Sequence, residues 1–334
     1  MRHLRRRFML WTGALVAAPL GRAQRPAKVY RVAWVLTTSP IAELVGPQPV
    51  HPITRAFVRE LRALGYVEGR NLVLERRSAE GDPRRFAPIL AELIGLQTDV
   101  IVMAGHAALN RLAKETTKTV PIVIFAGGDA TFAALVGSLA RPGGNITGLT
   151  VDSGPENEAK RLQLLKEALP SVSRVAYLGP QGTVDSAYRK ALQSAALSLK
   201  VELVYVEHMA SDLNATFAAL KGARADALFA SLSAETYGQR QQIVAYAREA
   251  RLPGIYPYLV MAELGGLMAY GVDVVDLGRR AAHYVDKILK GARPGELPIE
   301  RPTKFNLVIN MKTAGVLGLT IPQSVQLRAD TVIE

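Results

Sequence analysis

The chain of 334 residues contains no cysteine. That excludes disulfides, thiol nucleophiles, thiolate metal sites and a lipid-bearing cysteine behind a leader. Histidine is scarce too: His3, His51, His106, His208 and His283 are the only five, and no pair has metal-ligand spacing. Also missing are the short signatures of common enzyme classes, with no GxGxxG after the first strand, no GxxxxGKS or GxxxxGKT, no GxSxG and no HExxH. Beyond the N-terminal segment no apolar run is long enough to span a bilayer. Acidic residues number 29 against 41 Lys and Arg, but the basic excess is spread out and lacks any helix-turn-helix, zinc or RNA-binding signature. These absences predict no catalytic residues, no metal, no cofactor and no nucleic acid partner.

What is present begins with an export signal. Arg2, Arg5, Arg6 and Arg7 form a basic region, Phe8 to Leu20 an apolar segment too short for a membrane span, and Gly21-Arg22-Ala23 ends in a small residue. A signal peptide covering residues 1–23 is expected, cleaved after Ala23, with periplasmic delivery. The order Arg5-Arg6-Arg7-Phe8-Met9 is similar to a twin-arginine signal, and a general secretory signal fits as well. Cleavage removes five arginines and no acid, so the formal charge falls from +12 to +7.

From Val29 onward, short β-branched runs alternate with amphipathic helical ones, the pattern of parallel βα units. At this length two lobes are expected rather than one core. The stretch Phe125 to Thr150, FAGGDATFAALVGSLARPGGNITGLT, divides the two halves. It ends a strand, turns at Gly127-Gly128, starts a helix near Asp129, and breaks it at Arg141-Pro142-Gly143-Gly144 before a new strand.

The same stretch, as GGDxxxxxLVxSLARPGGNITGLT, resembles the central signature of bacterial ABC-transporter substrate-binding proteins. Further likenesses are LGYVEGRNLVLE at Leu64 to Glu75, AEGDPRRF at Ala79 to Phe86, AKRLQLLKEALP at Ala159 to Pro170, ELGGLMAYGVD at Glu263 to Asp273 and PTKFNLVINMKTAGVLGLTIP at Pro302 to Pro322. The resemblance implies an α/β fold with two doubly wound parallel-sheet lobes joined by three hinge crossings, the type I periplasmic binding protein. Crossings are expected near Asn145 to Thr150, Ala269 to Asp273 and Pro298 to Thr303. The N-terminal lobe would then hold residues 24–147 plus about 271–298, and the C-terminal lobe 148–270 plus about 299–334. It further implies a monomer that captures a small-molecule ligand, in a branch with known aromatic-amino-acid binders, and delivers it to an ABC permease in the membrane. The chain departs from the family's pattern at Gly179-Pro180-Gln181-Gly182, where an Asn-Pro pair and a second Asn are usual, and at Gly128-Asp129-Ala130, usually Gly-Asp-Pro.

Ligands of open α/β sheets bind outside the carboxyl ends of the strands. The candidates are therefore Thr38, Ser39, Gly105, His106, Gly128, Asp129 and Thr131 in the first lobe, and Gly179, Pro180, Gln181, Ser231, Ser233, Tyr256 and Tyr258 in the second, with Tyr270 at a crossing. Each also has a plain structural role. Asp129 reads equally as a helix cap and as the partner of an ammonium group. His106 reads as a polar helix start or a ligand contact, Ser231 and Ser233 as strand ends, and the tyrosines as packing residues or an aromatic cleft lining. Amides after His106 and Asp129 would favour a carboxylate. Two rival functions also fit the sequence: a periplasmic sensor for a signalling receptor, and a two-lobed enzyme for which Asp129 with His106 is the only acid and base pair available.

Overall fold

The computed structural model describes residues 28–104, 106–151, 154–180, 187–209 and 212–334, so the expected signal peptide lies outside the described residues. In chain order the first half runs β1 (Tyr30–Leu36), α1 (Ile41–Leu44), α2 (Pro52–Ala63), β2 (Leu72–Ser78), α3 (Phe86–Gly95), β3 (Val100–Ala104), α4 (Ala107–Thr116), β4 (Ile122–Gly127), α5 (Asp129–Leu135) and β5 (Ile146–Thr150). There follow α6 (Pro155–Ala168), β6 (Arg174–Gly179), α7 (Ala187–Leu199), β7 (Glu202–Glu207), α8 (Leu213–Gly222), β8 (Ala227–Ala230), α9 (Ala234–Gly238), α10 (Arg240–Glu249), β9 (Gly254–Tyr256), α11 (Leu259–Glu263) and β10 (Met268–Gly271). The chain closes with α12 (Val274–Leu289), β11 (Asn306–Asn310), α13 (Met311–Leu317), α14 (Gln323–Gln326) and β12 (Thr331–Ile333).

The strands make two sheets. One has the order β2-β1-β3-β4-β5 and is parallel throughout; the other has the order β12-β11-β10-β9-β8-β6-β7 and is parallel except where β11 runs against β10. Alternation in β1 shows how the sequence builds the layers. Ala33 and Val35 face α3 and α4 through Leu90, Leu93 and Leu109, while Val32, Trp34 and Leu36 face the opposite side with Phe57 and Leu61. Trp34 lies between Phe57 and Phe125, its ring stacked on theirs at 4.2 and 4.6 Å, and its indole N–H donates to Thr54 Oγ1 at 2.9 Å.

Two sheets on one chain require passages between them, and the described elements give three. The first follows Thr150. The strand Ile146–Thr150 belongs to the first sheet, so this passage lies beyond the expected Asn145 to Thr150. The cause is local: Asn145 Nδ2 donates to the carbonyls of Thr117 and Val120, and Gly148 brings the strand hard against β4. A Cβ at Gly148, where φ is +149°, would lie 1.8 Å from the Ile124 carbonyl oxygen, which only glycine avoids. The second passage follows β10. Asp273 caps α12 by accepting the amides of Val275 and Asp276, so the helix starts at Val274, and it packs along α2 and against β3, β4 and β5. The third follows Glu300, whose backbone pairs with Gly148 and Thr150 before the chain enters β11. Among the described residues no helix is long and apolar enough to cross a membrane.

Candidate functional site

The carboxyl ends of β1, β3 and β4 face those of β6, β8 and β9 across one cleft of about 360 Å³. On the first-sheet wall, β1 leads into Thr37-Thr38-Ser39, and the proline-rich segment behind them leads to Pro52 at the first position of α2. Proline suits that position, which makes the preceding His51 the helix cap. His51 Nδ1 accepts the Thr54 amide at 3.3 Å, and Nε2 lies 3.1 Å from Ser39 Oγ. Buried at 1 % exposure and close to Arg240, His51 titrates near 3 instead of 6.5, so it is neutral at physiological pH.

This shift fixes the sign of a pH effect. Folding releases a proton from His51 at any pH between about 3 and 6.5, so its stabilising contribution is complete above 6.5 and is lost as pH falls toward 3. Within that window stability should fall by about 1.4 kcal/mol per pH unit through this group alone. His51→Asn, which retains a cap acceptor, is expected to flatten the acid limb of a plot of urea midpoint against pH; an unchanged slope would assign that limb to other groups.

Next on this wall is a bulge. The pairing of β4 with β5 shifts register between Ile124 and Gly127, and Ala126 takes φ of 58°, unusual for a residue with a side chain. Ala126 and Gly128 line the cleft there. Gly128, not Asp129, occupies the cap position of α5, and Asp129 is the first helical residue; its side chain lies outside what the structure describes.

The second-sheet wall is aromatic and carries a charge. Tyr177, Tyr188, Tyr237 and Tyr258 line it together with Ser231, Leu232 and Ser233. The Tyr258 hydroxyl donates to the Ser233 carbonyl at 2.7 Å, and Ser233 Oγ caps α9 by accepting the Thr236 amide. Burial pushes the Tyr177 hydroxyl up to about 12 and raises those of Tyr237 and Tyr258 further, so all three stay protonated. Glu158 of α6 is the only Asp, Glu, Lys or Arg among the described lining residues. Its Oε2 accepts from Arg161 Nη2 at 3.0 Å; the same nitrogen donates to the Ala230 carbonyl at 2.6 Å, and the guanidinium lies 4.2 Å over the Phe229 ring.

Both walls touch at one seam. Thr38 Oγ1 donates to the Ala234 carbonyl at 3.0 Å, and Arg240 Nη2 lies 3.4 Å from Glu43 Oε2. Tyr237 sits at this seam, edge-on to His51 at 5.5 Å and to Tyr258 at 4.9 Å, with the Arg240 guanidinium 4.8 Å from its ring centre. Its hydroxyl is buried with no hydrogen-bond partner among the described residues.

Of the residues singled out from sequence, Thr38, Ser39, Gly128, Pro180, Ser231, Ser233 and Tyr258 come together on the cleft walls. Gly105 and Gln181 lie outside the described residues. Gly179 ends β6, and Thr131 is half-buried in α5, both off the walls. His106 precedes α4 without capping it; its ring meets Phe86 edge-on at 5.1 Å, and its buried Nδ1 has no partner among the described residues. Tyr256 is a correction to the aromatic lining: at 1 % exposure it is within the sheet's layers, its ring pressed against Gly254 and Gly266. Tyr270 is half-buried in β10, 6.2 Å from Phe305, beside a narrow adjoining pocket of about 20 Å³. Sequence reasoning missed His51, Glu158, Tyr177, Tyr188 and Tyr237. Glu158 and Arg161 did leave a signal, since they fall in the helical stripe with Leu165 and Ala168 that α6 buries.

Hydroxyls, aromatic rings and one carboxylate suit a small molecule with an apolar body and a few polar groups. Among the described residues no three His, Asp or Glu side chains converge as a metal site.

Comparison with known proteins agrees with this geometry. A "Tyrosine-binding protein" of Clostridioides difficile (strain R20291) is 24% identical over 285 residues, covering 84% of this chain and 80% of that protein. The crystal structure of a conserved domain protein from Vibrio cholerae superposes with a TM-score of 0.78 at 28% identity, over 91% of this chain and 100% of that one. An ABC domain from Streptococcus pneumonia, in complex with L-Trp, gives a TM-score of 0.77 at 23% identity over 92% and 100%. The family model of ABC transporter substrate binding proteins matches residues 41–333, which is most of the chain. With its two parallel-sheet α/β lobes and three passages, the chain belongs to that family.

Proposed function

We propose that the chain is exported to the periplasm, captures an amino-acid-like or aromatic molecule between its lobes, and passes it unchanged to an ABC permease, acting as a monomer. The observation that carries this reading is the seam beside the cleft. Thr38 with Ala234 and Glu43 with Arg240 hold together two sheets that share no strand pairing. A ligand touching both walls would favour this arrangement by its differential affinity for it. The moving bodies we assign are the first sheet with α12, and the second sheet with the C-terminal tail. Export rests on the N-terminal basic and apolar segments, and delivery on the family.

The ligand class rests on the aromatic wall and on the tyrosine-binding relative. Thermal-shift titration of residues 24–334 with L-tyrosine, L-tryptophan and L-phenylalanine tests it. At a hundredfold excess over its dissociation constant, a true ligand should stabilise the protein by about 2.7 kcal/mol. No shift with any of the three would remove aromatic amino acids as the cargo.

A further inference from the structure

We infer that the cleft is poled, with Ser39 on the first wall presenting a hydrogen-bond donor to a ligand carboxylate and Glu158 on the second presenting an acceptor to its ammonium group. The inference rests on the proposed function and adds the orientation of the cargo.

The Ser39 half follows from proton counting. A ring nitrogen that accepts a backbone N–H carries no proton, and His51 Nδ1 accepts the Thr54 amide. The neutral ring therefore holds its proton on Nε2, which donates to Ser39 Oγ at 3.1 Å. With a lone pair engaged in that way, the Ser39 hydroxyl has its own proton left to give. The group cannot drift, because its residue is 2 % exposed and its carbonyl accepts from Ser78 Oγ. Thr54 Oγ1 lies 3.1 Å from His51 Nδ1 and accepts the Trp34 indole N–H, which ties the chain of bonds to the core.

The Glu158 half follows from charge. Burying a carboxylate is costly unless a cation and hydrogen bonds compensate it. Arg161 does so from behind, and is itself fixed by the Ala230 carbonyl and the Phe229 ring. The carboxyl group is thereby held at the cleft wall, where no other described lining residue is an Asp, Glu, Lys or Arg. An ammonium group is the ligand function that such an acceptor discriminates best. A third observation also points to a ligand: the Tyr237 hydroxyl, in a residue 7 % exposed on the same cleft, has no hydrogen-bond partner among the described residues.

Calorimetry with three probes tests the polarity: L-tryptophan, indole-3-propanoate without the ammonium, and tryptamine without the carboxylate. Wild type should lose roughly 10- to 100-fold in affinity on either deletion, the worth of a charge-assisted hydrogen bond. Glu158→Gln, which can still accept from Arg161, should abolish the preference for L-tryptophan over indole-3-propanoate while keeping its preference over tryptamine. Ser39→Ala should do the reverse. Should Glu158→Gln not fold, Glu158→Asp keeps the charge one methylene farther back and should weaken only the two probes with an amine. L-Tryptophan binding with preferences that neither variant alters, or that both alter alike, would overturn the poled cleft alone. Failure of wild type to bind any of the three would overturn it together with the aromatic-amino-acid reading.

Discussion

Gly238→Ala is expected to weaken ligand binding on the order of 100-fold, about 2.8 kcal/mol, without lowering the melting temperature of the unliganded protein. Gly238 ends α9 on the second wall and meets Thr38 of the first. A Cβ there would fall 2.6 Å from Thr38 Oγ1 and 2.7 Å from Thr38 Cβ, closer than real Cβ atoms come to other heavy atoms. Thr38 is β-branched and stiff about χ1, and it is held by its bond to the Ala234 carbonyl, so it has little room to yield. The walls must part, and a ligand that needs both loses one of them. The backbone at Gly238 has no positive φ, and alanine is the better helix former by about 1 kcal/mol, so the open protein does not suffer. Adding Thr38→Gly should recover much of the affinity, less the worth of the Thr38 hydrogen bond. Calorimetry on the two single variants and the double variant measures the coupling; a Gly238→Ala protein that binds like wild type would show that the cleft works without this contact.

Arg161→Met is the second large effect, and it falls on stability. Removing one partner of a buried ion pair costs about 3–5 kcal/mol, because the other charge is left uncompensated. Here the side chains of Arg161 and Glu158 are 4 % and 10 % exposed, and the guanidinium also serves the Ala230 carbonyl and the Phe229 ring. Methionine fills similar space but supplies no charge. The double variant Glu158→Gln with Arg161→Met should regain at least half of the loss, since the stranded carboxylate is gone. Urea denaturation of the three variants decides this, and equal instability of the single and double variants would assign the cost to packing instead of charge.

How much of this was legible in sequence differs by level. Sheet strands such as VIVMA and the breaker Arg141-Pro142-Gly143-Gly144 carry local signals that tertiary structure does not reverse, so the α/β lobes followed from them. The position of the first passage did not, because Gly148's approach to Ile124 is a contact between strands and leaves no mark on its neighbours. The cleft was found through the rule that ligands lie beyond strand ends, and the rule's limits explain the misses. Tyr256 is the last residue of β9 and still packs inside the layers, whereas Tyr258, past Pro257, reaches the cleft. Glu158 and Tyr237 reach it from helices, which strand ends do not mark. His51 was legible in principle, since a proline at a helix's first position names the residue before it as the cap. Its bond to Ser39 was not, because it joins two ends of one loop.

The measurement that tests the central claim most directly is native mass spectrometry of residues 24–334 recovered from a bacterial periplasm, with release and identification of whatever is bound. The account predicts one molecule per monomer, an amino acid or a related aromatic compound, returned chemically unchanged after incubation. Recovery of a converted product would contradict it and make the cleft an active site.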